Sequence, residues 1–161
     1  MQCTDSTSRP HAIPLHCAAL VQPGYLSRTR VRSSRIGTHH LLQAKDLSRD
    51  SGIAWSDVAS FRPERNAELY QISRGDILLL ARGRSHWAFL VAEDFVNTLA
   101  SSVFYIIRPD TAVVRPAYLA WWLNLPETQA QINACSCGTG IGYINRQALG
   151  SLMVALPPTE V

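Results

Sequence analysis

Apolar residues nowhere run unbroken for the ~18 positions that a membrane-crossing helix needs, so the sequence offers no spanning segment. Residues 12–21 are mildly apolar, but Pro14 and His16 interrupt them and no Lys/Arg cluster precedes them, which speaks against a secretory leader. A cytoplasmic protein is the expectation. Cysteine is sparse as well. Cys3, Cys17, Cys135 and Cys137 are too few to staple a disulfide scaffold, and the cytoplasm would keep them reduced. No repeat, heptad run or low-complexity tract is present. Charged residues make up only 17% against 47% hydrophobic. That balance excludes a disordered chain. At 161 residues the chain suits one domain, long enough to bury roughly 70% of its unfolded surface.

Signatures of catalysis are missing too. There is no Gly-x-Ser-x-Gly elbow. Glu93 and Asp94 form a carboxylate pair, but neighbours in a strand point to opposite faces, and solvated turn charges are the plainer reading. His86 has no identifiable partner for base catalysis. A methyltransferase domain needs a longer chain with alternating strands and helices. No catalytic residue and no cofactor is therefore expected. Cys135-Ser136-Cys137 has one residue between thiols, where metal sites use two to four. His39-His40 is the nearest candidate supplement, and two small apolar residues at a helix end is the simpler account. No metal is expected. Gly138-Thr139-Gly140-Ile141-Gly142 looks like a phosphate cradle, yet it follows a helix and lacks a Gly-Lys-Ser/Thr ending. It is either a flexible turn or a loop whose amides approach a DNA phosphate, since both need the same lack of side chains.

What the chain does have is arginine. Lys45 is the single lysine among 15 basic residues, and the rest are arginine. Arginine forks onto guanine or phosphate as lysine cannot. The net charge of +3 is too mild to require a polyanionic partner. The distribution says more: Arg28, Arg30, Arg32 and Arg35 lie together, with no acid between Ser6 and Lys45. A solvated edge strand would look the same.

Residues 1–20 show little pattern and read as a loose lead-in or an edge element, with the domain proper at 21–161. Pro23-Gly24 is a turn signal. The alternation of Arg28, Arg30 and Arg32 with Thr29 and Val31 suits a strand with one basic face. His39–Leu47 reads as a second strand running into a loop, and residues 48–68 as an irregular loop with short elements. Leu69–Ile72 is a possible short strand. Ile77–Leu80 is a continuous apolar run, as in a strand buried on both faces. With the Arg82-Gly83-Arg84 turn and a return through Trp87–Ala92 it makes a hairpin. Ser101–Ile107 is a further strand. Helices follow from Pro116 and Pro126, and Asn145 suits the cap of a short helix. A last strand covers Leu152–Leu156. Strands first and helices later, without βαβ alternation, predict an α+β fold with mixed or antiparallel strands and short helices in the C-terminal half.

Taken in order, these segments resemble the target-recognition domain of type I restriction–modification specificity subunits. The resemblance lies in Pro23-Gly24-Tyr25 with its basic followers, Leu42–Leu47 with its Lys45-Asp46 pair, and Gly75-Asp76-Ile77-Leu78 followed by Arg82-Gly83. It continues through the strand ending in Ile107-Arg108-Pro109, the helix start Pro116-Ala117-Tyr118-Leu119, and Gly138-Thr139 with Ile144, Asn145, Leu149 and Leu156-Pro157-Pro158. It covers residues 20–158. The family usually carries two such domains joined by long helices. Here there is one, and Pro157-Pro158-Thr159-Glu160 stand where the family continues into its long helix. A half-subunit pairing with a second copy, a fragment and a decayed gene are all open readings.

The resemblance implies double-stranded DNA as ligand, and a methyltransferase subunit and, through it, a restriction subunit as partners. It implies no catalysis by the chain itself. The alternative is a degenerate domain kept only as a protein-interaction module. Expected base readers are Arg82, Arg84 and His86 around Gly83, with some of Arg28, Arg30, Arg32 and Arg35. Lys45, Arg49 and the loop bearing Gly138, Thr139, Gly140 and Tyr143 are expected at phosphates. Tyr25 and Tyr143 either stack on DNA or pack internally. Trp121, Trp122, Leu119 and Leu123 are expected in the core, or on a docking face if both tryptophans are exposed.

Overall fold

The computed structural model describes residues 11–28, 30–31, 36–64 and 66–157. The chain opens with β1 (Ala12–Pro14), the single helical turn α1 (Leu15–Ala18) and β2 (Ala19–Pro23). Next come β3 (His39–Leu42), β4 (Leu47–Ser48), β5 (Gly52–Ile53) and β6 (Ala59–Phe61). The hairpin region holds β7 (Ile77–Leu80), β8 (Arg82–Gly83) and β9 (Ala88–Leu90), followed by β10 (Thr98–Ala100) and β11 (Phe104–Pro109). The remainder is α2 (Pro116–Leu123), α3 (Pro126–Ala134), β12 (Gly142–Tyr143), α4 (Arg146–Gly150) and β13 (Met153–Ala155). The fold is α+β, as the shift from strands to helices predicts. No described helix is long and apolar enough to cross a membrane.

The central sheet runs β2-β11-β7-β9, antiparallel throughout. Its middle strands explain the unbroken apolar runs. Ile77 and Leu79 of β7, with Tyr105 and Ile107 of β11, pack on Leu119, Leu123, Ile132 and Leu149 from the helices. Leu78, Phe104 and Ile106 face the other way, onto Leu42, Val58 and Ile72. A strand between two apolar layers has no polar face, so alternation vanishes.

A second sheet, β10-β3-β6, lies on that other side. β10 pairs parallel with β3, Leu99 opposite Leu41. The pattern of residues 98–100 gives no hint of it, and the strand expected from Ser101 begins only at Phe104. The segment expected as a strand at Leu69–Ile72 is a helical turn over Glu68–Tyr70, with Gln71 alone bridging Leu99.

Of the two readings of this segment, residues 12–20 follow the edge element and not the loose lead-in. β1 pairs with β13, Ala12 opposite Ala155. β2 forms the edge of the central sheet, so the boundary drawn at residue 21 falls inside it. Leu15 and Ala18 are fully buried. The segment is too short and too interrupted to show a period, and its partners are far along the chain.

At Gly24 the chain passes from the central sheet to the second. Its N–H donates to Phe104 O (2.9 Å), and the N–H of Tyr25 donates to Ala100 O (2.7 Å). A Cβ on Gly24 would stand 2.1 Å from Ser101 O. The glycine is needed because two backbones touch there. Pro116 and Pro126 open α2 and α3, and the Asn145 side chain caps α4 by accepting from Ala148 N at 2.8 Å. Of the adjacent tryptophans, Trp122 is core and Trp121 is exposed.

Candidate nucleic-acid interface

Strand register places the charges. Pro23, Phe104, Leu80 and Ala88 mark one end of the central sheet, because Pro23 pairs with Tyr105, Phe104 with Leu80, and Leu79 with Ala88. Chain leaving that end forms residues 24–28, 30–31, 81–87 and 101–103. Arg28, Arg30, Arg82 and Arg84 stand on these segments, all exposed. Arg49 reaches the same region, with Cζ 5.9 Å from the Trp87 ring. Lys45 and Arg30 line a groove of about 660 Å³ together with Tyr25, Asp57 and Ser102. Ala19, Pro109, Ile77 and Leu90 mark the opposite end. Asp76, Glu93, Asp94 and Asp110 gather just beyond it. Arg108 there is spent on Asp76, Nε to Oδ1 3.5 Å. The exposed arginines of the turn segments thus share one end of the sheet, and the other is the acidic end, where these four acids stand with Arg74 and Arg108 among them.

The Arg82-Gly83-Arg84 turn is joined to the glycine-rich loop. β8 pairs with β12, Gly83 opposite Gly142 and Arg82 opposite Tyr143. Cys137 and Tyr143 close the loop with reciprocal backbone bonds of 2.8 and 2.9 Å. Ile144 N donates to Ala81 O at 3.1 Å. Gly138 takes φ +117° and Gly140 φ +93°, conformations that side chains resist. The Arg82 guanidinium lies 5.0 Å from the centre of the Tyr143 ring. The Tyr143 hydroxyl meets that of Tyr105 at 3.1 Å. Burial, with the neighbouring Tyr143 hydroxyl, pushes the Tyr105 hydroxyl well above the usual phenol range, so it remains a proton donor.

His86 lies at the foot of this assembly and is fully buried. Its Nδ1 is 2.7 Å from Leu80 O, which fixes that nitrogen as the donor. Its Nε2 is 2.9 Å from the Ser136 hydroxyl. Two amide side chains clamp the backbone alongside. Gln129 accepts from His86 N (3.2 Å) and donates to His86 O (2.9 Å). Asn124 treats Ala88 likewise, at 2.9 and 2.8 Å. β9 is an edge strand, and these amides stand in for its missing neighbour. The turn is therefore held on rigid elements.

Several site expectations move. His86 cannot reach a base, because its ring nitrogens are both engaged inside the fold. Tyr25 is 2% exposed and packs on Phe61 and Tyr70, its hydroxyl accepting from Glu64 N at 2.9 Å. It is a core residue and not a stacking platform. Lys45 is partly occupied, donating to Asp46 Oδ1 (2.6 Å) and Asp57 O (2.9 Å). Asp46 is itself buried, its other oxygen accepting from Gln43 N at 2.8 Å. Gly83 is half-buried, while Arg28, Arg30, Arg49, Arg82, Arg84, Gly138, Thr139, Gly140 and Tyr143 are exposed. Arg32 and Arg35 lie outside the described residues. Sequence reasoning missed Asn124, Gln129 and Ser136, whose importance comes from backbone groups they meet in space. Cys135 and Cys137 are exposed thiols. Among the described residues no three His, Cys, Asp or Glu converge as a metal site would need.

This layered α+β fold is like that of a solved S subunit of a type I restriction–modification system. The chain is similar in structure to the S subunit of a type I restriction–modification system from M. genitalium, with a TM-score of 0.60 at 12% identity. The likeness covers 94% of this chain, which spans 35% of that subunit's length. No family model matches the chain, and no curated protein matches it in sequence.

Proposed function

We propose that this chain reads double-stranded DNA as a specificity subunit, or half-subunit, of a type I restriction–modification system, without chemistry of its own. The observation that supports this most is the placement of Arg28, Arg30, Arg49, Arg82 and Arg84 beyond one end of the central sheet. A two-stranded β ribbon fits the major groove of B-form DNA, and the β7–β9 hairpin with β8 and β12 at its tip is such an element. Arg28, Arg30, Lys45, Arg49 and the glycine-rich loop at Gly138–Gly140 contact phosphates, which supplies affinity and register. Arg82 and Arg84 at the tip read base edges at the cognate sequence, at about 1–3 kcal/mol for each good bidentate contact, and lie on phosphates when the duplex is of any other sequence.

In this reading a methyltransferase subunit, and through it a restriction subunit, is directed to one sequence, and methylation and cleavage belong to those partners. A homodimer would read a symmetric split target. The experiment is co-expression with a type I methyltransferase subunit, followed by mapping of methylated adenines. One recurrent motif, lost on changing Arg82 and Arg84 to alanine, is expected. A folded complex that methylates no motif would leave the chain as an interaction module.

A further inference from the structure

We infer that Tyr143 is a positioning residue for Arg82: its ring sets the guanidinium on the arginine-rich face before DNA arrives, and it acts through Arg82 without touching DNA. The inference rests on the DNA reading above. Tyr143 and Arg82 are directly opposed in the β8–β12 pairing. The guanidinium stands 5.0 Å from the ring centre, within cation–π range. The ring is itself held. Tyr105, in the core, donates its one hydroxyl proton to Ile144 O at 3.0 Å. The 3.1 Å contact between the two hydroxyls must then be donated by Tyr143. That turns the Tyr143 hydroxyl inward and leaves the ring to Arg82. Among the described residues no carboxylate pairs with Arg82, so its N–H groups are left for an acceptor from outside. Arg84, two positions on, has no ring contact among the described residues. The turn thus carries one preset arginine and one adaptable arginine. Ordering a long side chain in advance lowers the entropy lost on binding.

The test is fluorescence anisotropy of the full chain with a labelled mixed-sequence duplex of about 20 base pairs, repeated across a salt series. Tyr143→Leu should weaken binding about two- to fivefold without changing the slope of log K against log salt. Tyr143→Phe loses the bond to Tyr105 but keeps the ring, which the β8–β12 pairing still sets opposite Arg82, and should stay within about twofold of the parent. Arg82→Ala should weaken binding and lower the slope by about 1. The double variant Arg82→Ala/Tyr143→Leu should bind as Arg82→Ala alone. A double variant weaker than Arg82→Ala would mean that Tyr143 contacts DNA itself, which overturns the inference and leaves the DNA reading intact. So would Tyr143→Phe as weak as Tyr143→Leu. An Arg82→Ala protein with unchanged affinity and slope would instead overturn the DNA reading of this hairpin. If Tyr143→Leu fails to fold by circular dichroism, Tyr143→Trp replaces it. The larger π face should then bind at least as tightly as the parent, and weaker binding overturns the inference.

Discussion

Asp76 and Arg108 face each other across the β7–β11 pairing, Nε 3.5 Å from Oδ1. The second Asp76 oxygen accepts from Ser73 N at 2.9 Å, and Arg108 also donates to Gln71 O at 2.9 Å. Gly75-Asp76-Ile77-Leu78 and Ile107-Arg108-Pro109, segments on which the family resemblance rests, thus meet as a structural stitch. It lies at the acidic end of the sheet, away from the arginines of the turn.

Burial raises the Asp76 carboxyl above its ordinary 3.8, while the Ser73 N–H and Arg108 pull the other way. A carboxyl raised on folding stabilises the fold while protonated, and that contribution is lost as pH climbs through the folded value. The stability of the parent relative to Asp76→Asn should therefore fall as pH rises from about 3 toward neutrality. Urea unfolding of both proteins across that range is the check. A difference that grows with pH would show that Arg108 outweighs burial.

Gly24→Ala should be among the most damaging single-methyl changes. The new Cβ would meet Ser101 O at 2.1 Å and Ala100 O at 2.7 Å, both backbone atoms that cannot swing aside. A loss of at least about 2 kcal/mol is expected, read from the urea midpoint. A near-neutral result would mean that the two sheets can part at this crossing.

Asn124→Ala removes both bonds to Ala88 and leaves an edge N–H and C=O without partners. The expected cost is ~1–3 kcal/mol. Asn124→Asp keeps only the acceptor and should fall between the two proteins. Hydrogen exchange at the Ala88 amide should rise sharply in the alanine variant, which a general loss of stability would not confine to β9.

Arg82→Ala with Arg84→Ala should weaken binding to a mixed-sequence duplex, where both guanidiniums lie on phosphates, and lower the salt slope by about 2, one for each guanidinium removed. Arg74→Ala, an exposed arginine at the acidic end, should leave both unchanged. Equal effects from Arg74 and the pair would mean that charge alone attracts DNA, with no defined face.

His86→Ala should cost ~2–4 kcal/mol through the cavity and the unpaired Leu80 carbonyl. Affinity for DNA, measured below the unfolding transition, should fall less than for Arg82→Ala. The reverse order would return His86 to the contact surface.

Local chemistry was legible from the chain alone. The hairpin over residues 76–92, the proline-led helices, the Asn145 cap and the two-faced strand Ile77–Leu80 all depend on neighbours a few residues away. Period, cap and turn signals report such neighbours directly. The β10–β3 and β12–β8 pairings were not legible, since each joins short segments more than fifty residues apart whose own patterns are too brief to register.

The sequence by itself thus determined an α+β chain whose basic charge is nearly all arginine. Tertiary structure alone decided that Tyr25 and His86 belong inside, and that the exposed arginines of residues 24–31 and 81–87 share one end of a sheet. The reason is physical. A polar or aromatic side chain has the same pattern in sequence whether its partner is a buried carbonyl or water, and only the folded packing chooses between them.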